Sequence, residues 1–150
     1  MSPAEARSHS AAGHVLRLPH RAEAVAAARR RIRSALGEAG LSGPVLDDAE
    51  VVVSELLGNA VRHGHAIAGG VIVLGWQVLQ SELQLRVTDG GGSGRAVEAR
   101  EAPATAVCGR GLHIVERLST SWGVTEHVGG LRTVWAMLPL ESPPTLRLVR

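Results

Sequence analysis

Apolar residues recur at two spacings along this chain, and the switch between them outlines its architecture. Ala49, Val52, Val53, Leu56, Leu57, Ala60 and Val61 follow the three-and-four spacing of one helix face, with Pro44 before them and Gly64 after as start and stop. Leu83, Leu85 and Val87 instead alternate with Gln84, Arg86 and Thr88, the pattern of an antiparallel strand with one covered face. Asp89 ends that strand on the parity of the leucines, so the alternation aims a carboxylate at the covered side. His14 to Pro19 alternates as a short first strand, and Ala-rich Arg21 to Gly40 reads as a helix. Val71 to Val78 is β-prone after the Gly69-Gly70 turn. Gly109-Arg110-Gly111 opens another helix, with Leu112, Val115 and Leu118 on one face. Thr120 to Val128 and Leu131 to Leu138 predict a closing hairpin that turns at Gly129-Gly130.

The order strand, helix, helix, strand, strand, loop, helix, strand, strand predicts an α/β two-layer sandwich. Its sheet is mixed and mostly antiparallel, with three helices on one face. One domain is expected over residues 13–140, between a disordered lead-in at 1–12 and a loose tail at 141–150. This is not the βαβαβ order of a doubly wound fold, and Gly109-Arg110-Gly111 does not follow a strand directly, which argues against a dinucleotide fingerprint.

Composition narrows the chemistry. All sixteen basic residues are Arg, so no Walker-type Gly-Lys-Ser/Thr loop and no Schiff-base lysine exists. Phosphate chemistry would have to use Arg, backbone amides, helix N-termini and a metal. A formal charge of +2 is too weak to argue for direct nucleic-acid binding, and the cluster Arg29, Arg30, Arg31 and Arg33 reads first as a solvated helix face. The single Cys108 excludes an internal disulfide. No apolar run approaches membrane-spanning length and the N-terminus lacks a signal-peptide core, so a cytoplasmic protein without membrane contact is expected. With three Trp and no Phe or Tyr, Val, Leu, Ile and Ala must fill the interior, and Trp122 and Trp135 suit sheet packing.

Three candidates for chemistry remain. Glu55 and Asn59, spaced i, i+4, project from one side of the second helix beside its apolar stripe, and Asp48 lies a heptad before Glu55. Asn59 is the only asparagine, placed where helix propensity disfavours it. A carboxylate with a carboxamide suits a divalent cation plus a hydroxyl to be deprotonated, although both residues also occur as ordinary boundary polar groups. Asp89 can accept a hydrogen bond from the six-amino group of adenine, whereas guanine's carbonyl would repel it; an aspartate before glycines also caps turns. Gly109-Arg110-Gly111 at a helix N-terminus offers free amides to phosphates. His14, His20, His65, His113 and His127 show no ligand spacing and read as surface or packing residues.

These segments together, Glu55-Leu56-Leu57-Gly58-Asn59-Ala60-Val61-Arg62-His63-Gly64, Asp89-Gly90-Gly91, Gly109-Arg110-Gly111-Leu112 and Gly130-Leu131-Arg132-Thr133-Val134-Trp135, resemble the boxes of the Bergerat-fold ATPases. Within that superfamily of gyrase, chaperone, histidine-kinase and mismatch-repair ATPases, the chain is most similar to stand-alone anti-sigma factor serine/threonine kinases. The resemblance implies that Asn59 ligates Mg²⁺, that Glu55 is the general base, and that Asp89 binds the adenine amine. It further implies that Gly91 lets the backbone approach the base and that Gly109, Arg110, Gly111 and Leu112 lie along the phosphates of ATP. Thr133 would support adenine, and Gly92 to Cys108 would form a lid. The family's first glycine box reads Asp-x-Gly-x-Gly; here Ser93 holds its last position. The implied partners are an anti-anti-sigma factor of STAS type, a sigma factor, and a second copy in a homodimer. A binding switch with little or no phosphotransfer is the alternative reading.

Overall fold

The computed structural model describes residues 13–92 and 109–140; the expected lead-in, the expected tail and nearly all of the expected lid, from Ser93 to Cys108, lie outside the described residues. The elements run β1 (His14–Pro19), α1 (Glu23–Glu38), α2 (Pro44–His63), β2 (Val71–Val78), β3 (Glu82–Asp89), α3 (Gly109–Leu118), β4 (Ser121–Glu126) and β5 (Arg132–Pro139). They form an α/β sandwich whose five-stranded sheet has the order β1-β2-β3-β5-β4, every neighbouring pair antiparallel. β3 is therefore central, paired with β2 on one side and β5 on the other, and its last residue, Asp89, pairs with Arg132 of β5.

The helices cover one face because their apolar residues leave a single way to bury. α1 buries Ala24, Ala28, Ile32 and Leu36, one per turn. α2 buries Val45, Ala49, Val52, Val53, Leu56, Leu57 and Ala60, and packs on α1, on α3, and on β3 and β5. Beneath them lie Ile72, Leu74 and Trp76 of β2, Leu83, Leu85 and Val87 of β3, and Val134, Ala136 and Leu138 of β5. A fully enclosed leucine makes this core sensitive to truncation. Leu57→Ala, at a side chain with no exposed surface, lowers unfolding stability by about 2–5 kcal/mol in urea titration.

Arg33 reaches from α1 to α2, its guanidinium 2.9 Å from Asp47 and 3.0 Å from Glu50. The hydrogen bond to Asp47 and then that to Glu50 raise its already high pKa further. At the surface such a tie adds little stability. Arg29, Arg30 and Arg31 are exposed, as a solvated helix face would be. Among the described residues no helix is long and apolar enough to cross a membrane.

Candidate functional site

The C-terminal end of α2 and the tip of β3 meet, and backbone hydrogen bonds weld them. His65 N–H donates to Gly91 O at 2.8 Å, and Gly90 N–H donates to His65 O at 2.7 Å. His20 fastens the same corner from the other side: its Nε2 lies 2.9 Å from Ala60 O and 3.0 Å from Gly64 O. Both partners are acceptors, so Nε2 carries the proton and bridges the last turn of α2 to the loop after β1. Sequence reading assigns His20 only a surface or packing role, because nothing local pairs it with a helix forty residues away.

Asp89 sits in this corner with 2% of its surface exposed. Its Oδ1 accepts the Gly91 amide at 2.7 Å, which is the turn-capping role of an aspartate before glycine. Its Oδ2 accepts from Arg132, whose NH2 group is 3.1 Å away and whose side chain is likewise buried. Gly64 makes room for that carboxylate. Its backbone is extended, at φ −95° and ψ 161°, so it is not the left-handed stop expected of a C-terminal glycine; a Cβ there would collide with Asp89 Oδ2. Gly91 needs both freedoms: φ is +89°, and a Cβ would strike Gly130 O.

One turn before the corner, Asn59 is 2% exposed, and neither Oδ1 nor Nδ2 has a hydrogen-bond partner among the described residues. Each buried amide atom left unpaired costs about 1–3 kcal/mol, so the position fits a ligand better than a structural role. Glu55, a turn earlier, is half-buried. A single oxygen donor such as Asn59 Oδ1 suits Mg²⁺, which keeps waters and takes most of its other ligands from phosphates. Among the described residues no three His, Cys, Asp or Glu cluster to hold a metal by themselves. α3 begins at Gly109 and packs along α2, and its first-turn amides have no intrahelical acceptors. The Leu112 side chain is 1% exposed and belongs to the core, so any contact with phosphates would fall to its backbone.

Thr133 is not brought to Asp89. The β3–β5 register pairs Asp89 with Arg132 and Thr88 with Thr133, so Arg132 faces the helices and Thr133 the opposite side. There the Thr133 hydroxyl lies 2.7 Å from that of Thr88 and 2.8 Å from His127 Nε2. It lines an open groove of about 850 Å³ with Arg86, Trp135 and Met137, to which Glu55, Asn59 and Asp89 contribute nothing. The expectation that Thr133 supports a base held by Asp89 is therefore corrected. Arg132, missed from sequence, holds the inward position, and its parity with Val134, Ala136 and Leu138 was the available signal.

Comparison with known proteins agrees with this fold. Residues 18–137 match the family described as the histidine kinase-like ATPase domain. The serine-protein kinase RsbW of Listeria innocua is 28% identical over 116 residues, 69% of this chain and 73% of that protein. RsbW of Staphylococcus aureus is 29% identical over 80 residues, covering 52% of this chain and 50% of its own length. A crystal structure of the RsbU and RsbW domains of Rv1364c from Mycobacterium tuberculosis superposes with a TM-score of 0.66 at 22% identity, which shows a shared fold. That match covers 88% of this chain, which spans only 33% of the larger protein. The chain belongs to the histidine kinase-like ATPase domain family.

Proposed function

We propose that the chain is an ATP-dependent serine/threonine protein kinase of the anti-sigma factor type, acting on a serine of an anti-anti-sigma partner. The observation that carries this reading is a buried Asn59, its amide without a partner among the described residues, one turn before the welded corner that holds the buried Asp89 carboxylate. Asp89 reads the base, and Gly91 and Gly64 keep the approach to it open. Asn59 Oδ1 would hold Mg²⁺, which when bound neutralises charge on the phosphates. Without any lysine, the remaining phosphate charge falls to the amides at the start of α3 and to Arg110.

Glu55 takes the proton of the partner's serine hydroxyl as the serine oxygen bonds to the γ-phosphorus. The bond from that phosphorus to the bridging oxygen breaks, and ADP leaves with the electron pair. The relatives named serine-protein kinases support this direction of chemistry. Incubation with γ-labelled ATP, Mg²⁺ and STAS-type antagonists tests it: label appears on a serine of one antagonist. Nucleotide-dependent capture of an antagonist without any label would favour the binding switch instead.

A further inference from the structure

Arg132 changes what the base corner can read. Its NH2 group donates to Asp89 Oδ2, and its Nε–H is buried with no hydrogen-bond partner among the described residues. Only 7% of the residue is exposed, so this spare donor is shielded from bulk water. Its NH1 lies 3.6 Å from where a Cβ of Gly92 would stand, so the guanidinium runs under the glycine turn that follows Asp89. The corner therefore offers an acceptor and a donor side by side, where the carboxylate alone would offer only acceptors.

We propose that Arg132 is a base-reading residue, and that with Asp89 it admits 6-oxopurine nucleotides as well as 6-aminopurine ones. The proposal rests on reading the Asp89 corner as a purine-nucleotide site. An adenine presents a donor at the six-amino group and an acceptor at N1, which match Asp89 and Arg132 in turn. A 6-oxopurine presents the reverse, an acceptor at O6 and a donor at N1–H. A shift of about one ring position lets Arg132 donate to O6 while Asp89 accepts from N1–H. The carboxylate's repulsion of a six-position carbonyl, expected when Asp89 acts alone, is thereby lifted.

Calorimetric titration of the full chain with ATP, GTP and ITP in Mg²⁺ tests this, ITP lacking guanine's extra amine. Wild type binds all three within about tenfold of one another. Arg132→Thr weakens GTP and ITP by on the order of 10- to 100-fold and ATP far less, because water can replace the donor at adenine N1 but cannot relieve a carbonyl facing a carboxylate. Should thermal melting show that the Thr variant is unfolded, Arg132→Gln decides: its amide keeps an N–H for Asp89, but its other N–H is on the same nitrogen and cannot stand where the Arg132 Nε–H does, so the same selective loss follows. A wild-type preference for ATP above roughly 100-fold overturns the proposal and leaves the adenine site standing. So does a folded variant that loses all three nucleotides equally. Wild type that binds none of them overturns the site along with the proposal.

Discussion

Glu55→Gln lowers phosphoryl transfer to the protein substrate by about 10²–10⁴-fold and leaves ATP affinity within a few-fold of wild type. The substitution keeps shape, helix propensity and a hydrogen-bonding head, and removes the negative charge and with it the capacity to take a proton. Glu55 is half-buried on the side of α2 that also carries Asn59, so the exchange disturbs no core packing. Single-turnover transfer from γ-labelled ATP, read beside a calorimetric affinity, separates the two effects. Transfer that survives in the variant would assign the base to another group. Affinity that collapses with it would make Glu55 a ligand-binding residue.

Gly64→Ala produces the second large effect, and local propensity alone would predict the opposite sign. At φ −95° and ψ 161° an alanine is unstrained, so lowering the entropy of the unfolded chain would be expected to stabilise by about 0.4–1 kcal/mol. The added methyl instead meets the Asp89 carboxylate and comes to 2.8 Å from Ala60 O. Neither neighbour can yield freely. Asp89 is held by Gly91 and Arg132, and Ala60 O accepts from His20 and from Gly64 N–H. ATP affinity falls on the order of 100-fold, and unfolding stability drops by about 1–3 kcal/mol. Gly37→Ala is the control. It lies in α1 with nothing within 4 Å of its added Cβ, so it stabilises by about 0.5–1 kcal/mol and leaves nucleotide binding alone.

The fold is legible in sequence wherever apolar residues leave only one covered face. The stripe on α2 and the alternation of β3 do so, and the latter also gives the inward aim of Asp89, because parity carries across a strand to its last residue. What local pattern cannot supply is which strands are neighbours. β5 follows β4 in the chain yet also pairs with β3, and that register sets Arg132 against Asp89 and turns Thr133 to the far face. An arginine opening a mostly apolar strand reads as its solvated end until the neighbour is known. Gly64 teaches the same lesson: punctuation explains a glycine after a helix, whereas the structure explains it by the side chain it must clear. Asn59 stands out in sequence by residue type, but its amide's lack of a partner among the described residues emerges only from packing.

The base corner itself is tested most directly by calorimetric titration of wild type and Asp89→Asn with ATP in Mg²⁺. Both carboxylate oxygens already accept hydrogen bonds, from Gly91 N–H and Arg132, and an asparagine has one oxygen for the two. Wild type gives saturable one-site binding, and the variant, while still melting cooperatively, binds on the order of 100-fold more weakly. Wild type that gives no binding isotherm, or a variant that takes up ATP as tightly as wild type, contradicts the assignment.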